Sequence, residues 1–137
     1  MNNAITSAVL ALSAFAWTAA QAMTGGSVEA KFRGDWVPAK AACNSPLKMV
    51  IDANLVAFVN GGQRQEFRKL EQCFSCEAGG MTTKPQPVWL STDAMGDSPW
   101  TVTMDGTKKS KVAVSVALDK QLAARFPLGT AALKKCP

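Results

Sequence analysis

Four cysteines limit this chain more than any other feature. Cys43, Cys73, Cys76 and Cys136 stand in 137 residues, and their chemistry depends on the compartment in which the chain folds. The N-terminus addresses that question. Ala4 to Trp17 is an apolar run rich in Ala, Leu and Val, and Ala20-Gln21-Ala22 fits a small-x-small cleavage site. The run is short for a permanent bilayer anchor, and Gly25-Gly26 follows it in place of a basic stop-transfer cluster. Residues 1–22 therefore read as a secretory signal peptide and 23–137 as one exported domain. A retained anchor is the competing reading, because Met1-Asn2-Asn3 lacks the usual basic side chains.

Export places the thiols in an oxidising compartment, periplasmic or extracellular, where an even number is normally paired. Three connectivities are open. On an extended strand Cys73 and Cys76 would point to opposite faces roughly 10 Å apart, so a bond between them needs a tight turn. The two pairings that tie Cys136 to Cys73 or Cys76, across some 60 residues, are favoured on that ground. A loop of that length would contribute on the order of 4 kcal/mol. Cys73-Phe74-Ser75-Cys76 also has the C-x-x-C spacing of thiol oxidoreductases, but polar Gln63 to Gln72 precedes it and Gly79-Gly80 follows, unlike the strand and helix of a βαβ unit. A four-Cys zinc site would need two close pairs, and Cys43 and Cys136 are isolated. A c-type haem would need His where Glu77 stands.

Several runs read as strands. Phe32 to Pro38 ends in an aromatic, a β-branched residue and a proline. Within it, Gly34-x-Trp36 resembles the opening strand of lipocalin-like and avidin-like barrels, which implies an architecture and nothing further. Leu47–Ile51 and Leu55–Val59 flank Asp52-Ala53-Asn54, and Asn60-Gly61-Gly62 returns the chain into Gln63–Phe67, a polar strand suited to an edge. Val88–Thr92 is short. Trp100–Met104 alternates large apolar with hydroxyl side chains, and Lys111–Ala117 places Val112, Val114 and Val116 on one face, with a turn at Asp105-Gly106 between them. Asp119 is a suitable N-cap for a two-turn helix from Lys120 to Phe126, and Leu128 to Lys135 reads as one more turn. The fold expected is mainly β: a small antiparallel β-barrel or sandwich of about six short strands with one short C-terminal helix, stapled by disulfides.

Composition narrows the chemistry. The chain has no His, so Ser-His-Asp and Cys-His nucleophiles and His-based zinc sites are excluded, and paired cysteines do not attack. Most acids fall in turns, as Asp52, Asp93, Asp97 and Asp105 do, rather than in a pair poised for glycoside cleavage. Residues 106–137 carry seven basic side chains against Asp119 alone, while residues 23–105 are nearly balanced, so the whole excess of +5 lies at the C-terminal end. Lys108, Lys109 and Lys111 on a hairpin tip would steer an anionic partner, with an affinity that falls as salt rises. They equally protect a strand edge. Basic residues are not interleaved with aromatics, which argues against nucleic acid. Trp89 and Trp100 read as core more than as platforms, with Trp100, after the loop ending at Pro99, the better binding candidate.

The expectation is a small exported binding protein that is not an enzyme, holds no cofactor or metal, and meets a protein or an anionic envelope component, for example as an inhibitor or immunity partner. In size, export, disulfides and β content it resembles periplasmic lysozyme inhibitors. A thiol-disulfide protein using Cys73 and Cys76 is the alternative.

Overall fold

The computed structural model describes residues 23, 24, 26–76, 84–94, 96–108, 111–129 and 132–137. The proposed signal peptide lies outside them. Among the described residues the chain forms ten antiparallel strands: β1 (Met23–Thr24), β2 (Gly34–Pro38), β3 (Leu47–Asp52), β4 (Leu55–Asn60), β5 (Gln63–Phe67), β6 (Glu71–Cys73), β7 (Val88–Ser91), β8 (Trp100–Lys108), β9 (Lys111–Leu118) and β10 (Leu133–Lys135). One helix, α1 (Lys120–Arg125), and a 3-10 turn, Ala30–Phe32, complete it. The mainly β class and the antiparallel pairing are as expected, but nine strands of three residues or more and a two-residue stub replace the expected six. The additions are strands too short to show a period. Among the described residues no helix is long and apolar enough to cross a membrane.

All ten strands belong to one sheet, in the order β1-β6-β7-β8-β9-β10-β2-β3-β4-β5. Lying flat, β4 would be about 24 Å from β8, five ladder spacings away. Instead the Phe58 ring of β4 lies 5.8 Å from Trp100 of β8, and Phe67 of β5 lies 5.5 Å from the same indole. The sheet is therefore a curled half-barrel. Its connectivity agrees, because β5 and β6 sit near opposite edges yet are joined by only Arg68, Lys69 and Leu70, which span at most about 14 Å. Period-two alternation fills the concave side with Trp36, Met49, Ile51, Phe58, Leu90, Trp100, Val102 and Met104, each at most 1% exposed.

The strongest local signals hold. Asp52 pairs with Leu55 and Asn60 with Gln63, so each hairpin turns on two residues. Gly61 has φ +57°, the left-handed value a type II′ turn requires at its first position. β5 ends the sheet as expected, and its Glu66 carboxylate accepts from Arg64 and Arg68, which holds that acid below its ordinary pKa. A charged, solvated edge resists addition of another strand. Helix α1 and the residues after it close one end, with Leu122, Phe126 and Leu128 buried. Asn60 Nδ2 donates to Arg125 O there at 2.9 Å. Val28 and Phe32 are buried at the other end, where Val28 N donates to Ala53 O and Trp36 Nε1 to Phe32 O. The Asp119 side chain accepts from Leu122 N at 2.7 Å, the N-cap expected. Asp119→Ala should therefore destabilise the fold by about 1 kcal/mol in urea unfolding; an unchanged midpoint would show that packing alone holds the helix.

Four expectations are corrected. The bonds formed are Cys43–Cys136 and Cys73–Cys76, not the favoured cross-segment pairs. Cys73 ends β6 and the chain turns at once through residues 74–76, which brings the two Cα atoms to 5.6 Å. Residues 133–135 form a strand, not a helical turn, because β10 fills the gap between β9 and β2, pairing Leu133 with both Val114 and Pro38. The turn at Asp105-Gly106 is instead an irregularity inside β8, where Asp105 accepts from Thr107 N and Thr107 Oγ1 and the strand runs on to Lys108. Val112 is 37% exposed while Val114 and Val116 are buried, because it stands beyond the end of the core.

The two cross-links differ in scale. Cys43–Cys136 spans 93 positions and Cys73–Cys76 three. On a chain-entropy basis these loops stabilise the native state by about 5 and about 2 kcal/mol respectively. Paired cysteines of this kind are characteristic of proteins that fold in an oxidising environment.

Candidate functional site

The residues singled out from sequence do not converge. Trp100 is 1% exposed and packed edge-on against Phe58, so it belongs to the core and offers nothing to a partner. The alternation of β8 explains this, since Trp100, Val102 and Met104 share its concave face. Lys108 and Lys111 pair directly across the far end of β8 and β9, both exposed, and eight residues of strand place them about 26 Å from Trp100. Lys109 lies outside the described residues. The four cysteines form two separate bonds, one beside the C-terminus and one where β6 ends.

The same alternation turns Trp89 outward. Val88 and Leu90 are buried beneath β7, and Trp89 between them is half-buried on the convex face. Strand register sets a row across four strands: Cys73, Trp89, Thr103 and Ser115. A second row, Glu71, Ser91, Thr101 and Ala117, runs beside it. The convex face of β6 to β9 is thus one indole among hydroxyls, small side chains and a carboxylate.

Two depressions meet at Trp89 and Thr101. One, of about 240 Å³, is walled by the Cys73–Cys76 bond, Asp93, Asp97 and Ser98. The other, of about 420 Å³, continues over Thr103, Ser115 and Ala117. Residues 92–94 and 96–99 build the wall between β7 and β8. Ser98 donates its hydroxyl hydrogen to Trp100 O at 2.6 Å, so it accepts from Thr92 N at 3.1 Å and from Thr92 Oγ1 at 2.9 Å. Ala94 N donates to Glu71 Oε2 at 2.9 Å, carrying the loop across the outside of β6 and β7. Farther along the face, hydrogen bonds from the Thr107 hydroxyl and backbone N–H hold the Asp105 carboxyl below its ordinary pKa, so it remains an anion at neutral pH.

A groove of this kind offers a flat aromatic ring, acceptors in carboxylates and hydroxyls, and donors in Ser and Thr. Such a set suits a ligand with an apolar ring face and many O–H groups, or a cation held over the indole. Sequence reasoning had Trp89 in view but preferred Trp100. The deciding signal was the strict alternation of residues 100–104, which commits Trp100 to the apolar face.

Comparison of the chain with protein-family models, with curated proteins and with solved structures returned no match.

Proposed function

We propose that this protein is a small exported binding protein, periplasmic or secreted, that holds a carbohydrate chain of the cell envelope along the convex groove centred on Trp89. The observation that carries the reading is the half-buried indole standing between two depressions, one lined by carboxylates and hydroxyls and the other by hydroxyls and small apolar side chains. A pyranose ring has an apolar face that stacks on an indole, while its hydroxyls bond to acceptors such as Asp93 and Asp97. Rigid strands supply Trp89, Thr101, Thr103 and Ser115, so little order is lost on binding. The carboxylates beside Trp89 disfavour an anionic ligand in the groove, in keeping with a neutral or amino sugar.

The test uses the mature protein and chito-oligosaccharides of four to six sugars. Trp36 and Trp100 are each 1% exposed, so a ligand-dependent change in fluorescence reports chiefly on Trp89. A saturable blue shift is expected, and Trp89→Ala should weaken binding at least about tenfold, or about 1.4 kcal/mol, while unfolding free energy moves by no more than about 1 kcal/mol. No response to neutral or amino oligosaccharides at millimolar concentration would overturn the carbohydrate reading. Capture instead of an envelope hydrolase or toxin by the same groove would replace it with the inhibitor role.

A further inference from the structure

We propose that Cys73–Cys76 is a thiol-disulfide exchange site, with a task different from that of the Cys43–Cys136 cross-link. Three observations converge. The first is loop length: a bond and the fold around it stabilise each other reciprocally, and a loop of three positions receives far less from folding than one of 93. The second is access. Cys73 ends β6 at 3% exposure, whereas Cys76, in the following turn, is partly exposed, and both residues line the open depression beside Trp89. The third is Phe74, between the two cysteines and 48% exposed. An aromatic side chain held in water beside a reactive bond gains by packing against an incoming chain.

Access assigns the order of events. A thiolate of a partner dithiol attacks Sγ of Cys76, a partner–Cys76 disulfide forms as the Cys73–Cys76 bond breaks, and the electron pair leaves on Cys73 Sγ, which takes a proton from water. The second partner thiol then attacks the partner sulfur of that mixed disulfide and releases Cys76. The partner ends as a disulfide, and Cys73 and Cys76 as two thiols, a transfer of two electrons and two protons. Asp93 and Asp97 line the same depression, so the partner is a peptide or protein dithiol with basic residues around its cysteines. The dithiol partner enters the same depression as the proposed carbohydrate, but the exchange step requires no sugar.

The mature protein, equilibrated in glutathione buffers of graded ratio and then alkylated, reads this directly by peptide mass mapping. Expected is full labelling of Cys73 and Cys76 in buffers where Cys43–Cys136 stays closed and the far-UV circular dichroism is unchanged. A change in Trp89 fluorescence should accompany it, since Trp89 pairs with Cys73 across the ladder. Cys73–Cys76 opening only together with Cys43–Cys136, or only on unfolding, would overturn the proposal. The double variant Cys73→Ser/Cys76→Ser provides the control: it should keep the native spectrum and unfold cooperatively, and loss of the fold would show the bond to be structural. With each rate expressed relative to the same thiolate's rate on a neutral small disulfide, which removes the difference in intrinsic nucleophilicity, cysteamine at low salt should open the bond several-fold faster than 3-mercaptopropionate. Equal rates would overturn the assignment of a basic partner.

Discussion

Serine at both Cys43 and Cys136 lowers the free energy of unfolding by about 4–5 kcal/mol, a large part of what a domain of this size possesses. The size of the effect comes from where the bond sits. β10 has three residues and is the strand that joins two half-sheets, β1-β6-β7-β8-β9 on one side and β2-β3-β4-β5 on the other. It meets β2 through three residue pairs but β9 through Leu133 alone. So short a segment near a chain end would fray if nothing tied it down. The Cys136 bond to Cys43 does so, helped by Cys136 N donating to Asp35 O at 2.8 Å. Urea unfolding of the double variant measures the loss, and serine at Cys73 and Cys76 sets the scale at about 2 kcal/mol or less. Equal losses for the two pairs would contradict this account of how the half-sheets are held.

Phe58→Ala should cost about 3–5 kcal/mol. Phe58 is fully buried, and the rings of Phe67, Trp100 and Phe126 stand 5.9, 5.8 and 6.1 Å from it. Those partners come from β5, from β8 and from the residue after α1, so one side chain connects the outer edge, the opposite wall and the helical plug. Removing it leaves a void that rigid strands on two sides cannot close, and that cavity adds to the lost transfer free energy. Denaturant unfolding with an unchanged slope should show the lower midpoint. A loss below about 1 kcal/mol would mean that the curl of the sheet does not rest on this aromatic cluster.

Much of this molecule was legible from short stretches of chain. The hairpins at residues 52–55 and 60–63, the polar edge strand Gln63–Phe67, the alternation of residues 100–104 and the Asp119 cap all appear as read. Each is decided by neighbours within a few positions: a glycine free to take positive φ, side chains alternating in and out, a carboxylate three residues before an orphan N–H. β6 was not legible. Two of its three residues are polar, and Gln72, only 3% exposed, is accommodated because its Nε2 donates to Gly26 O at 2.7 Å, a bond across 46 positions. β10 was missed for the same kind of reason, since only Leu133 of it is buried.

The binding candidates show the limit most clearly. Trp89 and Trp100 are chemically alike, and the pattern around each already held its orientation, but the groove did not exist until β6 to β9 lay side by side and residues 92–94 and 96–99 folded over them. The hairpin lysines were legible as charge, yet their distance from Trp100 follows from the length of β8.

From its sequence alone, then, this protein acquired its strand-forming runs, its tight turns, its capped helix, its lack of histidine chemistry and an even set of thiols. Which sulfurs met, where the C-terminal strand entered the sheet and which indole faced water were settled only by the curled sheet. Those outcomes depend on contacts between residues tens of positions apart, and the free energy of such contacts is set by the packing of the whole chain rather than by the residues on either side.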